Sequence, residues 1–380
     1  PDYIEGAGFL PGGGTPVGTL DSMNPPAECL VGRTSVALSQ LATEFGATAW
    51  RGKQLASWIY RKAVADLGAM NDLPAGFRRR LAERFVVNPL HVADHRKSSD
   101  GVDKLLVHDG DGQVFECVLL PYSKRVSCCL STQVGCPMGC TFCATGLGGF
   151  DRNLSVGEIV GQYLLLQGLS DRRVDHVVFM GMGEPLLNLD ALLESIAILH
   201  GEVGLSHRNL TVSTVGLVPQ IERLAAAKLP IHLALSLHSP FDEIRSRLMP
   251  VNRRWPVAEI MATMRRYQKA TGRKITIEYL LIDRLNDTEE QALALARLLR
   301  GVPHVVNLIP FNYVDTEQGF RRPTRERVRA FRRTLEEQGI NVTERVERGH
   351  DIAAACGQLA GQHEGRFARR SRLSVLPVTS

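Results

Sequence analysis

The sequence predicts an α/β protein, a partial barrel of six strand–helix repeats preceded by a small helical domain. From about Leu105 onward, short β-rich runs alternate with amphipathic helical stretches, which is typical of a parallel sheet with helices packed against it. Six such repeats favour an open or closed barrel over a flat doubly wound sheet. Before residue 95 the pattern is helical and poor in strands.

The expected elements follow one another regularly along the chain. Residues 35–85 are expected to be helical, and residues 114–120 are expected to form a strand that precedes the repeats. Short runs with β propensity predict the six repeat strands at residues 126–131, 176–180, 209–215, 231–236, 274–281 and 305–309. Apolar residues at helical spacing predict helices at residues 156–166, 189–199, 220–227, 257–267 and 289–299.

These elements divide the chain into four expected segments. Residues 1–28, rich in Gly and Pro, are expected to be a disordered leader, and they lack the basic and apolar stretches of a secretory signal. A helical accessory domain (29–95), the barrel (96–345) and a C-terminal segment with a basic tail (346–380) follow. No apolar run reaches the length of a membrane span, so a cytoplasmic protein without a membrane partner is expected.

The net charge of the chain is small, but its arginines are unevenly distributed along the sequence. The net charge is +5 over 380 residues, which an ordinary solvated surface mostly explains. Guanidinium groups bind phosphate oxygens in pairs, so clustered arginines suit a polyanionic partner. The clusters lie at residues 78–80, 253–254, 265–266, 321–333 and 366–372.

Five of the eight cysteines lie within sixteen residues, from Cys128 to Cys143. Secreted disulfide scaffolds are shorter and spread their cysteines, so this clustering indicates a metal or redox site in a reducing compartment. Cys136, Cys140 and Cys143 have the spacing C-x3-C-x2-C. A zinc knuckle would need a fourth ligand close by, and residues 144–149 contain neither Cys nor His. Three thiolates suit a four-iron cluster with one open iron.

Polar residues follow several of the predicted strands. They are Gly183 and Glu184, Ser213, Ser236 to His238, and Asn312. The carboxyl ends of barrel strands meet at one rim, where side chains from different strands converge on a common site. We therefore expect these residues to surround the cysteine loop.

Five stretches of the chain together resemble one known family: residues 133–136, 141–146, 180–186, 236–238 and 354–359. The cysteine motif with Phe142 is similar to the signature of the radical S-adenosylmethionine (SAM) superfamily. The combination with Ala-Cys-Gly-Gln-Leu around Cys356 resembles the RlmN type, the dual-specificity methyltransferases of adenine carbon 2 in ribosomal and transfer RNA. The resemblance extends from about Ala49 to about Gly361.

This resemblance implies a radical SAM partial barrel and a set of cofactors and partners. It implies a [4Fe–4S] cluster on Cys136, Cys140 and Cys143, and two molecules of SAM per turnover. It further implies 23S rRNA and tRNA as substrates, an electron donor such as flavodoxin or ferredoxin, and a monomer. Two alternatives stay open: the carbon-8 adenine methyltransferases, which use the same cysteines, and a non-catalytic metal-containing RNA-binding protein.

The family also implies roles for individual residues. Cys356 would accept a methyl group, carry it to the adenine and become linked to the RNA; a second cysteine would then resolve the adduct by forming a disulfide. Cys128 and Cys129 compete for this second role, since side chains alternate on a strand, and the family pattern selects Cys129. Glu116 matches the general base. The implied SAM contacts are Gly183 and Glu184 to the amino group, Ser213, Ser236, Leu237 and His238 to the ribose and carboxylate, and Asn312 to the adenine.

Overall fold

The N-terminal part of the chain is helical, as expected. The computed structural model describes residues 28–360 apart from 111, 315 and 317, so most of the expected leader and basic tail lie outside the described residues. The helices are α1 (Ser35–Glu44), α2 (Ala49–Ala56) and α3 (Ala75–Ala82). A short parallel pair, β1 (Glu28–Cys29) and β2 (Phe85–Val86), joins the two ends of this region. Thr34 begins α1 by accepting the N–H of Ala37.

The main sheet begins with four antiparallel strands. They are β3 (His91–Lys97), β4 (Asp103–His108), β5 (Phe115–Pro121) and β6 (Val126–Cys129). The sheet therefore starts at His91, inside the range expected for the helical domain. The predicted strand at residues 114–120 is confirmed as β5. Strands β3 and β4 were not predicted, because β3 carries mostly exposed polar residues and β4 buries the charged Asp103 and Lys104.

The other strands of the described residues form a small hairpin and a run of six parallel strands. The hairpin pairs β7 (Gln133–Gly135) with β8 (Phe150–Asn153). The parallel strands extend the main sheet beside β6 in chain order: β9 (His176–Phe179), β10 (Leu210–Thr214), β11 (His232–Ser236), β12 (Ile275–Leu281), β13 (His304–Pro310) and β14 (Val342–Glu344). All six predicted repeat strands are confirmed, and β14 is an additional one.

Helices connect the parallel strands, which confirms the predicted α/β architecture. Within the described residues the edge strands β3 and β14 do not pair with each other, so the barrel is partial. No helix in this part of the chain has both the length and the apolar character needed to cross a bilayer. After α3 the helices are α4 (Ala144–Leu147), α5 (Val156–Gly168), α6 (Leu189–Gly201), α7 (Val218–Ala226), α8 (Asp242–Leu248), α9 (Val257–Thr271), α10 (Glu289–Leu299) and α11 (Arg325–Glu337).

The core explains why these segments form a layered structure. Leu233, Leu235 and Ile277 on β11 and β12 are fully buried, as expected for parallel strands covered by helices. Helix α5 begins with a capping box, in which Ser155 accepts the Glu158 N–H while the Glu158 carboxylate accepts the Ser155 N–H.

Candidate active site at the strand ends

A cavity lies at the carboxyl ends of β9 to β13, where the sequence predicted a site. The three cysteines of the C-x3-C-x2-C motif line it, and so does Cys356 from the C-terminal segment. The predicted SAM contacts on its wall are Gly183, Glu184, Ser213, Ser236, His238 and Asn312. Residues more than 200 positions apart in the chain therefore meet at one rim.

The cysteine loop connects β7 to β8 and is held in place by backbone contacts. Gly135 has φ +74°, and a Cβ atom there would lie 2.1 Å from the carbonyl oxygen of Gly149, so only glycine is accommodated. The N–H of Cys136 donates to the same carbonyl at 2.7 Å. Further along, the N–H of Thr141 donates to the carbonyl of Leu248 at 3.0 Å, which attaches the loop to the end of α8.

The chemistry of the three thiols suits an iron–sulfur cluster. Burial raises the pKa of both Cys136 and Cys140 above the ordinary thiol value, and coordination to metal would favour the thiolate instead. A single zinc ion would require ligand sulfurs about 2.3 Å from one centre. Among residues 28–360 that the structure describes, no three Cys, His, Asp or Glu side chains converge closely enough to hold a single ion.

Gly183 and Glu184 follow β9 at the edge of the cavity. Gly183 has φ +102°, and a Cβ atom there would lie 2.6 Å from Cβ of Gln133, so glycine allows the two loops to touch. The buried Glu184 carboxylate accepts the N–H of Leu186 at 3.1 Å and the N–H of Val215 at 2.9 Å. Burial raises the pKa of Glu184 to about 7. This carboxylate therefore fixes two loops as well as lining the cavity.

Ser213, Ser236 and His238 come together on the opposite wall. The hydroxyl oxygens of Ser213 and Ser236 lie 3.5 Å apart on neighbouring strands. His238 accepts the N–H of Leu280 at its Nδ1 atom, 3.0 Å away, and its ring meets Phe142 edge-on. Burial lowers the pKa of His238 to about 3, so the ring is neutral. The side chain of Leu237, by contrast, is fully buried in the core and is not part of the cavity wall.

Asn312 joins the end of β13 to the C-terminal segment. Its Nδ2 atom donates to the carbonyl oxygen of Cys356 at 3.1 Å. Its Oδ1 atom is buried and accepts no hydrogen bond from the described residues. A buried acceptor without a donor is costly, so this atom fits a ligand N–H such as the exocyclic amine of adenine.

Cys129 and Cys356 line a second cavity that adjoins the first. Burial, and then the neighbouring Cys356, raise the pKa of Cys129 to about 12. Burial also raises the pKa of Cys356, whereas the Arg345 guanidinium acts to lower it. Cys128 and Cys117 are fully buried and line neither cavity, and the Cys29 thiol donates to the carbonyl of Val31 at 3.2 Å. Of the two adjacent cysteines on β6, Cys129 is therefore the one that faces Cys356.

Glu116 lies on β5, outside the walls of both cavities. It occupies the same face of that strand as Val118 and Leu120, which do line the second cavity. The Glu116 carboxylate forms a buried ion pair with Lys104 at 2.8 Å and accepts the N–H of Ala360 at 2.8 Å. Glu116 therefore contacts the segment that carries Cys356.

The charged residues of the site that were not predicted from the sequence include Arg345 and Glu278. Arg345 follows β14 and lines both cavities, with Nη1 3.6 Å from the sulfur of Met180. Glu278 on β12 lines the first cavity and accepts from Nδ2 of Asn307 at 2.8 Å; burial raises its pKa. Glu278 interrupts an otherwise apolar strand run, and that interruption was the available signal.

Comparisons with known proteins match most of the chain. The radical SAM superfamily matches residues 130–296, and the ribosomal RNA large subunit methyltransferase N-terminal domain matches residues 29–87. The "Probable dual-specificity RNA methyltransferase RlmN" of Moorella thermoacetica is 45% identical over 347 residues, covering 88% of this chain and 96% of the relative. The Symbiobacterium thermophilum protein of the same description is 45% identical over 346 residues, covering 90% and 93% respectively.

A solved structure is similar over the same length. The crystal structure of a radical SAM methyltransferase from Sphaerobacter thermophilus superposes with a TM-score of 0.85 at 43% sequence identity. The match covers 88% of this chain and 100% of that one. Both the sheet and the N-terminal helical region therefore have counterparts in known proteins.

Proposed function

The chain belongs to the RlmN family of radical SAM RNA methyltransferases, and we propose that it methylates carbon 2 of an adenine in 23S rRNA and in tRNA. The observation that carries this proposal is the position of Cys356. Cys356 lines the first cavity together with the three motif cysteines, and it lines the second cavity together with Cys129. A remote thiol between a cluster site and a partner thiol suits a carrier of the transferred carbon.

Cys136, Cys140 and Cys143 would hold the [4Fe–4S] cluster. Gly183, Glu184, Ser213, Ser236 and His238, with the backbone at Leu237, would hold SAM, and the orphan Oδ1 atom of Asn312 would accept from its adenine. When bound, these groups supply a one-electron cleavage of SAM that yields a carbon radical able to abstract hydrogen.

The Cys356 thiolate would attack the methyl carbon of one SAM molecule, so that S-adenosylhomocysteine leaves and an S-methyl group remains on the protein. One hydrogen atom of this methyl group would then be abstracted by the radical that cleavage of a second SAM molecule supplies. The resulting S-methylene carbon on Cys356 bonds to carbon 2 of adenine, an amidine carbon too electron-poor for an ordinary methyl cation donor. The adduct would give one electron to the oxidised cluster held by Cys136, Cys140 and Cys143, so that a closed-shell covalent link between Cys356 and the RNA would remain.

Glu116 and Cys129 would complete the reaction. The Glu116 carboxylate takes the proton from carbon 2. The Cys129 thiolate then attacks the sulfur of Cys356, which forms a disulfide, breaks the carbon–sulfur bond and leaves the electron pair on the carbon, where protonation completes the methyl group. Reduction of the disulfide by an external dithiol, which is itself oxidised to a disulfide in the exchange, would return the two thiols to their starting state.

The N-terminal helical region that precedes β3, residues 29–90, would bind the folded RNA, reading its shape and phosphates. The target base would leave its stack to reach the cavity, at a cost of a few kcal/mol. The protein would act in the cytoplasm as a monomer and receive electrons from flavodoxin or ferredoxin.

The test is anaerobic reconstitution with iron, sulfide, a reductant, an RNA transcript and SAM with a fully deuterated methyl group. Nuclease digestion and mass spectrometry should find 2-methyladenosine that retains two of the three deuterons, because one is lost when Cys356 carries the carbon. A product that retains all three deuterons would refute the Cys356 route. Carbon-8 methylation would assign the chain to the resistance type, and the absence of both 5′-deoxyadenosine and RNA methylation would refute the enzyme assignment.

A further inference from the structure

A separate, mostly polar pocket lies on the same rim as the active site. Its lining includes three arginines, Arg247, Arg284 and Arg321, together with Asp283 and Gln318. Arg247 is in the last turn of α8, Arg284 follows β12, and Arg321 lies between β13 and α11. Three segments that are distant in sequence therefore direct guanidinium groups at one depression.

This pocket is adjacent to both functional cavities. The backbone carbonyl of Arg247 accepts the hydroxyl of Thr141, within the cysteine loop, at 3.3 Å. Arg321 lines the arginine pocket, whereas its neighbour Arg322 lines the cavity that contains Cys129 and Cys356. The chain segment at residues 321–322 therefore borders both the arginine pocket and the cavity of Cys356.

The protein itself neutralises little of the positive charge in this pocket. Among the described residues, neither Arg247 nor Arg321 has a side-chain hydrogen bond or ion pair. Other arginines nearby have structural partners: Arg327 makes a bidentate contact with the buried Asp287, and Arg245 donates to Asn252 at 2.7 Å.

Asp283 offsets only part of this charge. Its carboxylate lies 3.7 Å from Nε of Arg284 and 3.6 Å from Nε of Arg327, so it is shared between two cations. Among the lining residues that the structure describes, three guanidinium groups against one carboxylate give a net charge of two positive units. A guanidinium fork matches the spacing of two phosphate oxygens, which makes a phosphodiester a suitable ligand.

The segments that carry the arginines are tied to each other. The N–H of Asp283 donates to the carbonyl of Arg321 at 2.9 Å, which joins the loop after β12 to the loop after β13. Arg284 has φ +57°, and its N–H donates to Asp287 at 3.0 Å. Phe320 packs edge-on against Phe311 beside Asn312. The backbone positions of Arg284 and Arg321 relative to each other are thus set by the fold.

We propose that the Arg247–Arg284–Arg321 pocket binds a backbone phosphate of the substrate RNA, close to the nucleotide whose base enters the Cys356 cavity. The inference rests on the proposed function and adds a place where the RNA backbone is held at the rim. A phosphate held one loop away from the opening would keep the target nucleotide in register while its base is out of the stack.

The test compares two triple variants of the full-length, cluster-loaded protein. One is Arg247→Gln/Arg284→Gln/Arg321→Gln. The matched control is Arg208→Gln/Arg297→Gln/Arg300→Gln, which removes the same charge from exposed arginines near the opposite ends of the strands. The probe is the RNA transcript that the wild-type protein methylates, and its dissociation constant is measured over a range of salt concentrations.

The pocket variant should bind this RNA roughly tenfold to a hundredfold more weakly, with a log–log salt slope reduced by about one to two units. The control should keep a slope close to the wild type, and RNA-independent release of 5′-deoxyadenosine should be unchanged in both variants. Single substitutions and Gln318→Glu, which adds a negative charge to the pocket, should each weaken binding in the same direction. These milder variants keep the test decisive even if the triple variant does not fold.

Two results would overturn the assignment. The first is an unchanged dissociation constant and salt slope in the pocket variants. The second is unchanged RNA binding with slower turnover from a reduced flavoprotein that chemical reductant restores, which would make the pocket a docking site for an acidic electron donor. A wild-type protein that modifies no RNA would instead refute the proposed function itself, so the two failures can be told apart.

Discussion

Lys104 and Glu116 form a buried ion pair of 2.8 Å, and each partner also holds the segment that carries Cys356. Lys104 donates to the carbonyl of Ala353 at 3.2 Å, and Glu116 accepts the N–H of Ala360 at 2.8 Å. These two contacts lie on either side of Cys356. The pair therefore attaches the C-terminal segment to the antiparallel half of the sheet at both ends.

Lys104→Met should destabilise the protein and slow methyl transfer. Removing one member of a buried ion pair leaves the other charge in a poorly solvated place, which costs up to about 3–5 kcal/mol. Urea unfolding measures the loss. Lys97→Met is the matched control, because this lysine is 69% exposed and 3.8 Å from its partner Asp103, so a change below about 0.5 kcal/mol is expected. Equal effects of the two substitutions would contradict the bridging role.

Cys129→Ala should trap the RNA on the protein. Without the second thiol, the bond between Cys356 and the methylated adenine has no nucleophile to break it. A retarded RNA band on a denaturing gel, with a nucleotide adduct on Cys356 by mass spectrometry, is the expected result. Cys128→Ala should release its product normally, since Cys128 is fully buried and lines neither cavity. A trapped adduct in the Cys128 variant, and none in the Cys129 variant, would reverse the assignment.

Asn312→Asp should weaken SAM binding and reduce methylation of Cys356. The substitution places a carboxylate oxygen against the Cys356 carbonyl, where a 3.1 Å hydrogen bond stood, and the repulsion displaces the Oδ1 acceptor that would bind the adenine of SAM. A loss of about 1–3 kcal/mol, roughly tenfold to a hundredfold in affinity, is expected by calorimetry. Tyr313→Phe is the control, because Tyr313 is 69% exposed and should not change either measurement. Unaltered SAM affinity in the Asp variant would remove Asn312 from the site.

His238 should make stability depend on pH. Its pKa falls from 6.5 in an exposed environment to about 3 in the fold, so the unfolded state binds more protons over that interval. The neutral ring therefore makes its full contribution to the free energy of unfolding above pH 6.5. This contribution is lost as the pH falls, by about 3 kcal/mol between pH 7 and pH 4.

His238→Asn should reduce this pH dependence of the unfolding free energy. Asn offers an acceptor to the Leu280 N–H and tolerates the positive φ of +60° at this position. Urea unfolding at several pH values would check the prediction. His350→Asn, at an exposed position, should keep the wild-type dependence, and an equally steep loss in the His238 variant would show that another group is responsible.

The sequence by itself determined the alternating strands and helices and the cysteine loop. Strand and helix periods depend on local residue patterns, and the spacing of Cys136, Cys140 and Cys143 is a local property as well. The polar strand ends were predictable for the same reason, because parallel strands place their carboxyl ends at one rim. Leu237 shows the limit of this reasoning, since its place in a site motif did not reveal that its side chain is buried in the core.

Only the tertiary structure decided which distant residues meet. The antiparallel strands β3 and β4, the buried Lys104, and Arg345 after β14 gave no periodic signal, because charged residues within short strands resemble loops in a sequence. The choice between Cys128 and Cys129 also needed the structure. It shows which of these neighbouring side chains faces Cys356, since adjacent residues of a strand face opposite sides of the sheet. Long-range contacts depend on strand register and on how the chain closes over the rim, and neither is encoded in any one local stretch.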